Sequence, residues 1–192
     1  MKTIGILALQ GDFDAHRKAI ERSGGRAVEV RTAPQLDACD GLIVPGGEST
    51  TMLKLIHEEN LLAPLAEFGR RCPIFGTCAG AILLASEVSS PAQESFALLD
   101  ITVERNAYGR QVDSRIATLA PEPEFGARTA PGDLEAVFIR APIIRRVGSQ
   151  ARVLARYQDD PVLVEQGRHL VATFHPELTE DARVHQLFLS KL

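Results

Sequence analysis

The sequence predicts an α/β fold with a mostly parallel sheet. Strand-like and helix-like stretches alternate through its first half, and 45% of its 192 residues are hydrophobic, enough for a large core. Thr3-Ile4-Gly5-Ile6-Leu7-Ala8-Leu9 reads as a core strand over 3–9. Over 13–22 the helical period places Phe13, His16 and Ile20 on one face. Strands follow over 27–30 and 41–44, and helical stretches over 52–58 and 61–68. Two apolar runs, Cys72-Pro73-Ile74-Phe75 and Ala81-Ile82-Leu83-Leu84-Ala85, flank a cluster of small residues, so a strand, a sharp turn and a helix are expected there. The second half changes character. Strand candidates lie over 96–103, 112–117, 136–139, 152–155, 162–165 and 170–174, with a hairpin turn at Gly167-Arg168 and a closing helix over 181–189. With no linker-like composition break and no repeat, residues 1–192 are expected to form one domain.

Composition excludes several classes of partner. The formal net charge is -4, from 21 basic and 25 acidic residues without a basic block, which argues against a nucleic-acid backbone or an anionic membrane. Three cysteines without paired spacing suit a reducing compartment. Neither a signal-peptide pattern nor a run of about twenty apolar residues is present, so a cytoplasmic location is expected.

Two segments carry the chemistry. In Gly76-Thr77-Cys78-Ala79-Gly80 the cysteine falls at the strand-to-helix turn, where unpaired backbone N–H groups and the helix dipole favour a thiolate. In Phe174-His175-Pro176-Glu177 the proline favours a strand end, where His175 can face the turn while Glu177 accepts from one ring nitrogen. A nucleophile, a base and an orienting carboxylate are the parts needed for thiol acyl transfer. The plainer reading of Cys78 is a buried structural cysteine, as expected for Cys39 and Cys72, and His16, His57, His169 and His185 read as structural or surface histidines. A third segment, Val44-Pro45-Gly46-Gly47-Glu48-Ser49-Thr50, leads from a strand into a helix. Gly46 and Gly47 can aim N–H groups at an oxyanion, or Ser49 or Thr50 can simply cap the helix, and both can hold. No Gly-Lys-Ser/Thr follows, so it is not a phosphate loop. Cys78, His175 and Glu177 could be mistaken for a zinc trio, but a triad uses them equally well, and no metal is expected.

Together with Leu9-Gln10-Gly11-Asp12-Phe13, Glu104-Arg105-Asn106-Ala107-Tyr108-Gly109-Arg110-Gln111 and Phe138-Ile139-Arg140-Ala141-Pro142, these segments resemble the class I (triad) glutamine amidotransferases over nearly the whole chain. The stretches around Gln10, Glu48 and Arg105 point to the branch serving pyridoxal 5'-phosphate synthesis. Tyr108 and Arg115 stand where phenylalanine is commoner in the family, a change expected to touch packing near Arg105.

The resemblance implies a flavodoxin-like three-layer sandwich with a central mixed, mostly parallel sheet. It implies Cys78 as nucleophile, His175 as general base and acid, and Glu177 as its orienter. It implies glutamine binding through Gly47, Glu48, Ser49, Arg105, Ile139 and Arg140, and an oxyanion region comprising Gly46, Gly47, Ala79 and Gln10. An arginine and a glutamate suit the α-carboxylate and α-ammonium of a free amino acid. The implied partner is a (β/α)8-barrel synthase subunit, twelve copies of each chain per assembly, which joins the ammonia to a pentose phosphate and a triose phosphate. No cofactor is expected on this chain, neither sugar phosphate nor pyridoxal phosphate. A different cysteine hydrolase or peptidase on a similar frame would share Cys78 and His175 without needing the clamp at Glu48 and Arg105, and in a non-catalytic binding or structural subunit Cys78 would be inert.

Overall fold

Alternate side chains of each central strand enter two separate cores, which is what makes the molecule three layers thick. The computed structural model describes residues 2–107 and 114–192. In β1 (Thr3–Leu7), Ile4 and Ile6 point to one core and Leu7 to the other. In β3 (Gly41–Val44), Ile43 joins the first, and Leu42 and Val44 the second. Burial on both faces explains why these strands read as unbroken apolar runs.

Between and after them run α1 (Phe13–Arg22), β2 (Arg26–Val30), α2 (Ala33–Asp37), α3 (Ser49–Glu58), α4 (Leu62–Arg71), β4 (Ile74–Thr77), α5 (Ala79–Leu84), β5 (Ala85–Ser89) and β6 (Leu99–Glu104). The remainder comprises β7 (Ser114–Leu119), α6 (Pro123–Arg128), β8 (Leu134–Ile139), β9 (Ile143–Val147), β10 (Arg152–Tyr157), β11 (Asp160–Gln166), β12 (His169–Ala172) and α7 (Arg183–Leu189). The main sheet has the order β10-β11-β12-β4-β3-β1-β2. Its run from β12 to β2 is parallel, and β10 and β11 add to it antiparallel. The packing of α1 and α7 on one face, and of α3, α4 and α5 on the other, completes the sandwich. A β5-β6-β9 sheet and a β7-β8 ribbon account for the remaining strands.

The departures from the sequence reading have local causes. β1 stops at Leu7 because Ala8 still bonds Val30 but Asp12 then caps α1, its carboxylate accepting from the Ala15 N–H. β12 stops at Ala172, two residues short of the expected end, and the chain enters a 3-10 turn at Pro176–Leu178. The expected strand over 96–103 begins only at Leu99, because the Phe96 and Leu98 N–H groups bond Leu83 and Leu84 at the end of α5. The part of the 112–117 expectation before Ser114, and Tyr108 with its neighbours to Gln111, lie outside the described residues. Arg115 is directed to β10, its guanidinium 5.6 Å from the Tyr157 ring centre and donating to the Tyr157 hydroxyl at 3.2 Å.

The approach of α5 to the sheet fixes the site. A Cβ on Gly80 would collide with the Val44 carbonyl at the end of β3, and one on Gly76 would come within 2.6 Å of the Gly80 carbonyl. Only glycine lets the turn after β4 fold this tightly. Gly80→Ala should therefore lower the urea unfolding midpoint by an amount equivalent to about 1–3 kcal/mol, the usual cost of overpacking. An unchanged midpoint would show that α5 is not seated on β3.

Candidate active site

Cys78 links β4 to α5 with φ 48° and ψ -103°, a backbone conformation that non-glycine residues rarely adopt. The Cys78 N–H donates to the Ala172 carbonyl at 2.8 Å, so the last residue of β12 holds the turn in place. The same strand leads to His175, whose own N–H is tied to the Val137 carbonyl of β8 at 2.8 Å. Parallel pairing of β4 with β12, with Ala172 opposite Thr77, brings the two segments to the same end of the sheet. The Cys78 Sγ lies 4.0 Å from the Ile139 carbonyl.

His175 Nδ1 lies 2.7 Å from Glu177 Oε1, which leaves Nε2 for the thiol. Burial disfavours the charged imidazole, but hydrogen bonds to Cys78 and Glu177 outweigh it and raise the His175 pKa to about 10. Burial likewise works against the Glu177 anion, yet His16 and the His175 hydrogen bond hold its pKa at about 2. A proton is thus stored on the imidazole, with an ionised carboxylate behind it.

In front lies a pocket of about 270 Å³, a size suited to a small molecule. Its walls include Cys78, His175, Gln10, Gly47, Glu48, Ser49, Arg105, Ile139 and Arg140. Glu177 stands behind His175 and is 4% exposed, while Gly46 lies between Cys78 and His175, where a Cβ would collide with the His175 ring and meet the Cys78 Cβ at 3.3 Å. Ala79 is buried as the first residue of α5.

Residues 6–192 match the SNO glutamine amidotransferase family. The chain belongs to that family. The "Pyridoxal 5'-phosphate synthase subunit PdxT" of Solibacter usitatus (strain Ellin6076) is 68% identical over 192 residues, covering 100% of both chains. Its namesake from Koribacter versatilis (strain Ellin345) is 53% identical over 97% of this chain and 93% of its own. A crystal structure of a glutamine amidotransferase superposes with a TM-score of 0.88 at 47% identity, covering 98% of this chain and 97% of that one. The structure of PurLQS from Thermotoga maritima, with a TM-score of 0.77 at 18% identity over 99% of each chain, shares the fold. The flavodoxin-like three-layer fold expected from the resemblance is the one observed.

Within this amidotransferase the clamp differs in detail from the sequence reading. The cap of α3 is Glu48, rather than Ser49 or Thr50. Its carboxylate accepts from the Thr50 and Thr51 N–H groups at 3.0 and 2.7 Å, which against the cost of its partial burial bring its pKa to about 2. Ser49 donates to the Gln93 side chain at 3.0 Å. Arg105 is buried, donates to the Thr50 hydroxyl at 2.6 Å and pairs with Glu48 at 3.8 Å, so it reaches the pocket already braced. Gln10 accepts from the Glu48 N–H at 3.0 Å and lies against Gly47, tying the end of β1 to the glycine loop. Asn106, Pro142 and Ile82 also line the pocket. The first two fall inside segments that carry the family resemblance, and Ile82 is one helical turn beyond Cys78, a spacing that could have revealed it.

The stored proton has a pH signature. Glutamine hydrolysis should persist through neutral pH and fall as the pH passes about 10, the result expected if His175, which loses its proton there, is the group that protonates a departing amine. A pH profile of kcat/KM that already declines near neutrality would contradict that assignment.

Proposed function

We propose that this chain is the glutaminase of a pyridoxal 5'-phosphate synthase, hydrolysing L-glutamine to L-glutamate and ammonia with Cys78, His175 and Glu177 as its triad. The observation that carries the reading is the buried His175–Glu177 pair at 2.7 Å, set beside a cysteine on a strained turn at the pocket wall. Thiolate formation at Cys78 places the thiol proton on His175. The thiolate attacks the side-chain amide carbon of glutamine, and Gly47 and Ala79 N–H groups stabilise the oxyanion, with Gly46 and Gln10 shaping that region. His175 then protonates the leaving nitrogen, and ammonia departs as the γ-glutamyl thioester forms. A water that gives its proton to His175 cleaves the thioester, releasing glutamate and restoring the thiol. Arg105 and Glu48 support recognition of the α-carboxylate and α-ammonium, with Ser49, Ile139 and Arg140 completing the clamp.

Residues 1–192 act in this reading as one amidotransferase domain in the cytoplasm. The ammonia passes to a (β/α)8-barrel synthase subunit in an assembly of twelve copies of each chain, which builds pyridoxal 5'-phosphate from ribose 5-phosphate and glyceraldehyde 3-phosphate. Among the described residues no helix is long and apolar enough to cross a membrane.

Cys78→Ala should abolish ammonia release, a loss of at least about 10³-fold, and His175→Asn should be similarly damaging, whereas Cys39→Ala should leave the rate within about twofold. Ammonia release by purified Cys78→Ala at near-normal rate would end the nucleophile assignment. The partner should also switch the enzyme on, because the Gly46-Gly47 loop has the backbone freedom to rest with an N–H turned away from the oxyanion. Turnover at saturating glutamine, measured with and without the synthase subunit, should rise at least about tenfold on mixing. Equal turnover would mean that the loop is preformed.

A further inference from the structure

Behind Glu177, away from the pocket, two histidines are fully buried. His16 of α1 and His185 of α7 are both 0% exposed. His16 Nε2 lies 3.0 Å from the Thr77 hydroxyl and 3.4 Å from Glu177 Oε2, and His16 Nδ1 lies 3.1 Å from His185 Nε2. Phe75 packs edge-on against both rings. Glu177 Oε1 is taken by His175, and the buried Oε2, which makes no hydrogen bond among the described residues, has His16 Nε2 3.4 Å away. An apolar side chain would fill this space without desolvating two imidazoles, so the pair calls for a reason.

Proton bookkeeping supplies it. Burial lowers the pKa of both rings, that of His185 to about 3, so each is neutral, with one N–H and one lone pair. If His16 carried its proton on Nδ1, it would donate to His185 Nε2. The His185 proton would then sit on Nδ1, which has no partner among the described residues, and the His16 Nε2 lone pair, accepting from the Thr77 hydroxyl, would also face the Glu177 carboxylate. If His16 instead carries it on Nε2, it donates toward Glu177 Oε2 and Thr77, while Nδ1 accepts from His185 Nε2–H. The remaining cost is one unused lone pair on His185 Nδ1. The second arrangement wins because it orphans no buried ring N–H and sets no ring lone pair against an anion.

We propose that His16, oriented by His185, is a positioning residue for glutamine hydrolysis, its Nε2–H supporting the rear oxygen of Glu177 so that the front oxygen stays aimed at His175. The inference rests on the triad reading above and extends it from three residues to five. The titratable groups bearing on this cluster are Asp12 and Arg22 around α1, His185 on α7, and His175 and Cys78 on the pocket side.

Removing the donor leaves the Glu177 anion half-supported, so the carboxyl takes up a proton at higher pH and releases its hold on His175. His16→Leu, assayed with the synthase partner, should lower kcat by about tenfold or more with KM for glutamine changed less than about twofold, and should move the acid-side loss of activity up by about one pH unit or more. His16→Gln, whose amide N–H can occupy the place of Nε2–H, should recover most of both effects. His185→Leu should shift the profile in the same direction by less. A folded His16→Leu with the parent pH profile, or a His16→Gln no better than His16→Leu at equal stability, overturns the proposal. Should His16→Leu fail to fold, nitrogen-15 spectra of the unsubstituted protein decide. Both rings should be Nε2–H tautomers, and an Nδ1–H His16 overturns the assignment. Cys78→Ala, run alongside, separates the two readings: ammonia release by that variant defeats the triad, whereas an inactive Cys78→Ala with an unmoved His16→Leu profile defeats only the positioning role.

Discussion

The parallel pairing of β4 with β12 is the constraint from which the site follows. The proposed nucleophile, Cys78, and the proposed base, His175, come from segments nearly one hundred positions apart in the chain. Pairing Ala172 with Thr77 leaves each of them just beyond the end of its own strand, side by side. The hydrogen bond from Cys78 N–H to Ala172 O adds a direct tie at the turn itself. Backbone strain at one residue costs on the order of 1–3 kcal/mol, and it persists here because the strand pairing, the Gly76–Gly80 contact and the Val44 carbonyl together leave the turn no other path. Ligand sites at the carboxyl ends of parallel strands are the general expectation for open α/β sheets, and this one lies there.

Charge inside the site is arranged by contact rather than by solvent. Glu177 is almost wholly buried, a position that would ordinarily neutralise a carboxyl group, and only the hydrogen-bonding nitrogens around it keep it ionised. The clamp follows a similar economy. Glu48 is held by the helix it caps and Arg105 by Thr50 and Glu48, so both side chains lose little additional freedom when a small molecule arrives.

Much of this was legible in the sequence because the chemistry is encoded in short contiguous segments. The sharp turn around Cys78, the proline-stopped strand end at His175 and the glycine loop after β3 each declared themselves locally. What stayed hidden had no local period to read. α2 is five residues long and is defined by Gln35 folding back onto the Thr32 N–H rather than by an apolar face. β5 follows α5 directly, with Ala85 both ending the apolar run and opening the strand, so no break in the sequence separates helix from strand. β9 carries two arginines directed to Thr102, Asp100 and Glu104 on its neighbour, which conceals its alternation. His16 and His185 read only as structural or surface histidines, with His16 on one helical face beside Phe13 and Ile20, and their meeting with Thr77 and Glu177 is a property of packing between four distant segments, invisible until the fold assembles them.

The two cores divide the proposed catalytic apparatus between them. Ala79, Ala81 and Leu83, which seat the helix after Cys78, belong to one, whereas Phe174, Val184, Leu187 and Phe75, which surround His175 and the histidines behind it, belong to the other. The central sheet separates them, and substitutions in regions without shared contacts tend to combine additively. A lineage could therefore retune thiol presentation by repacking one layer while leaving the proton-handling layer untouched. In that sense the three-layer architecture makes the two halves of a single reaction separately adjustable by mutation.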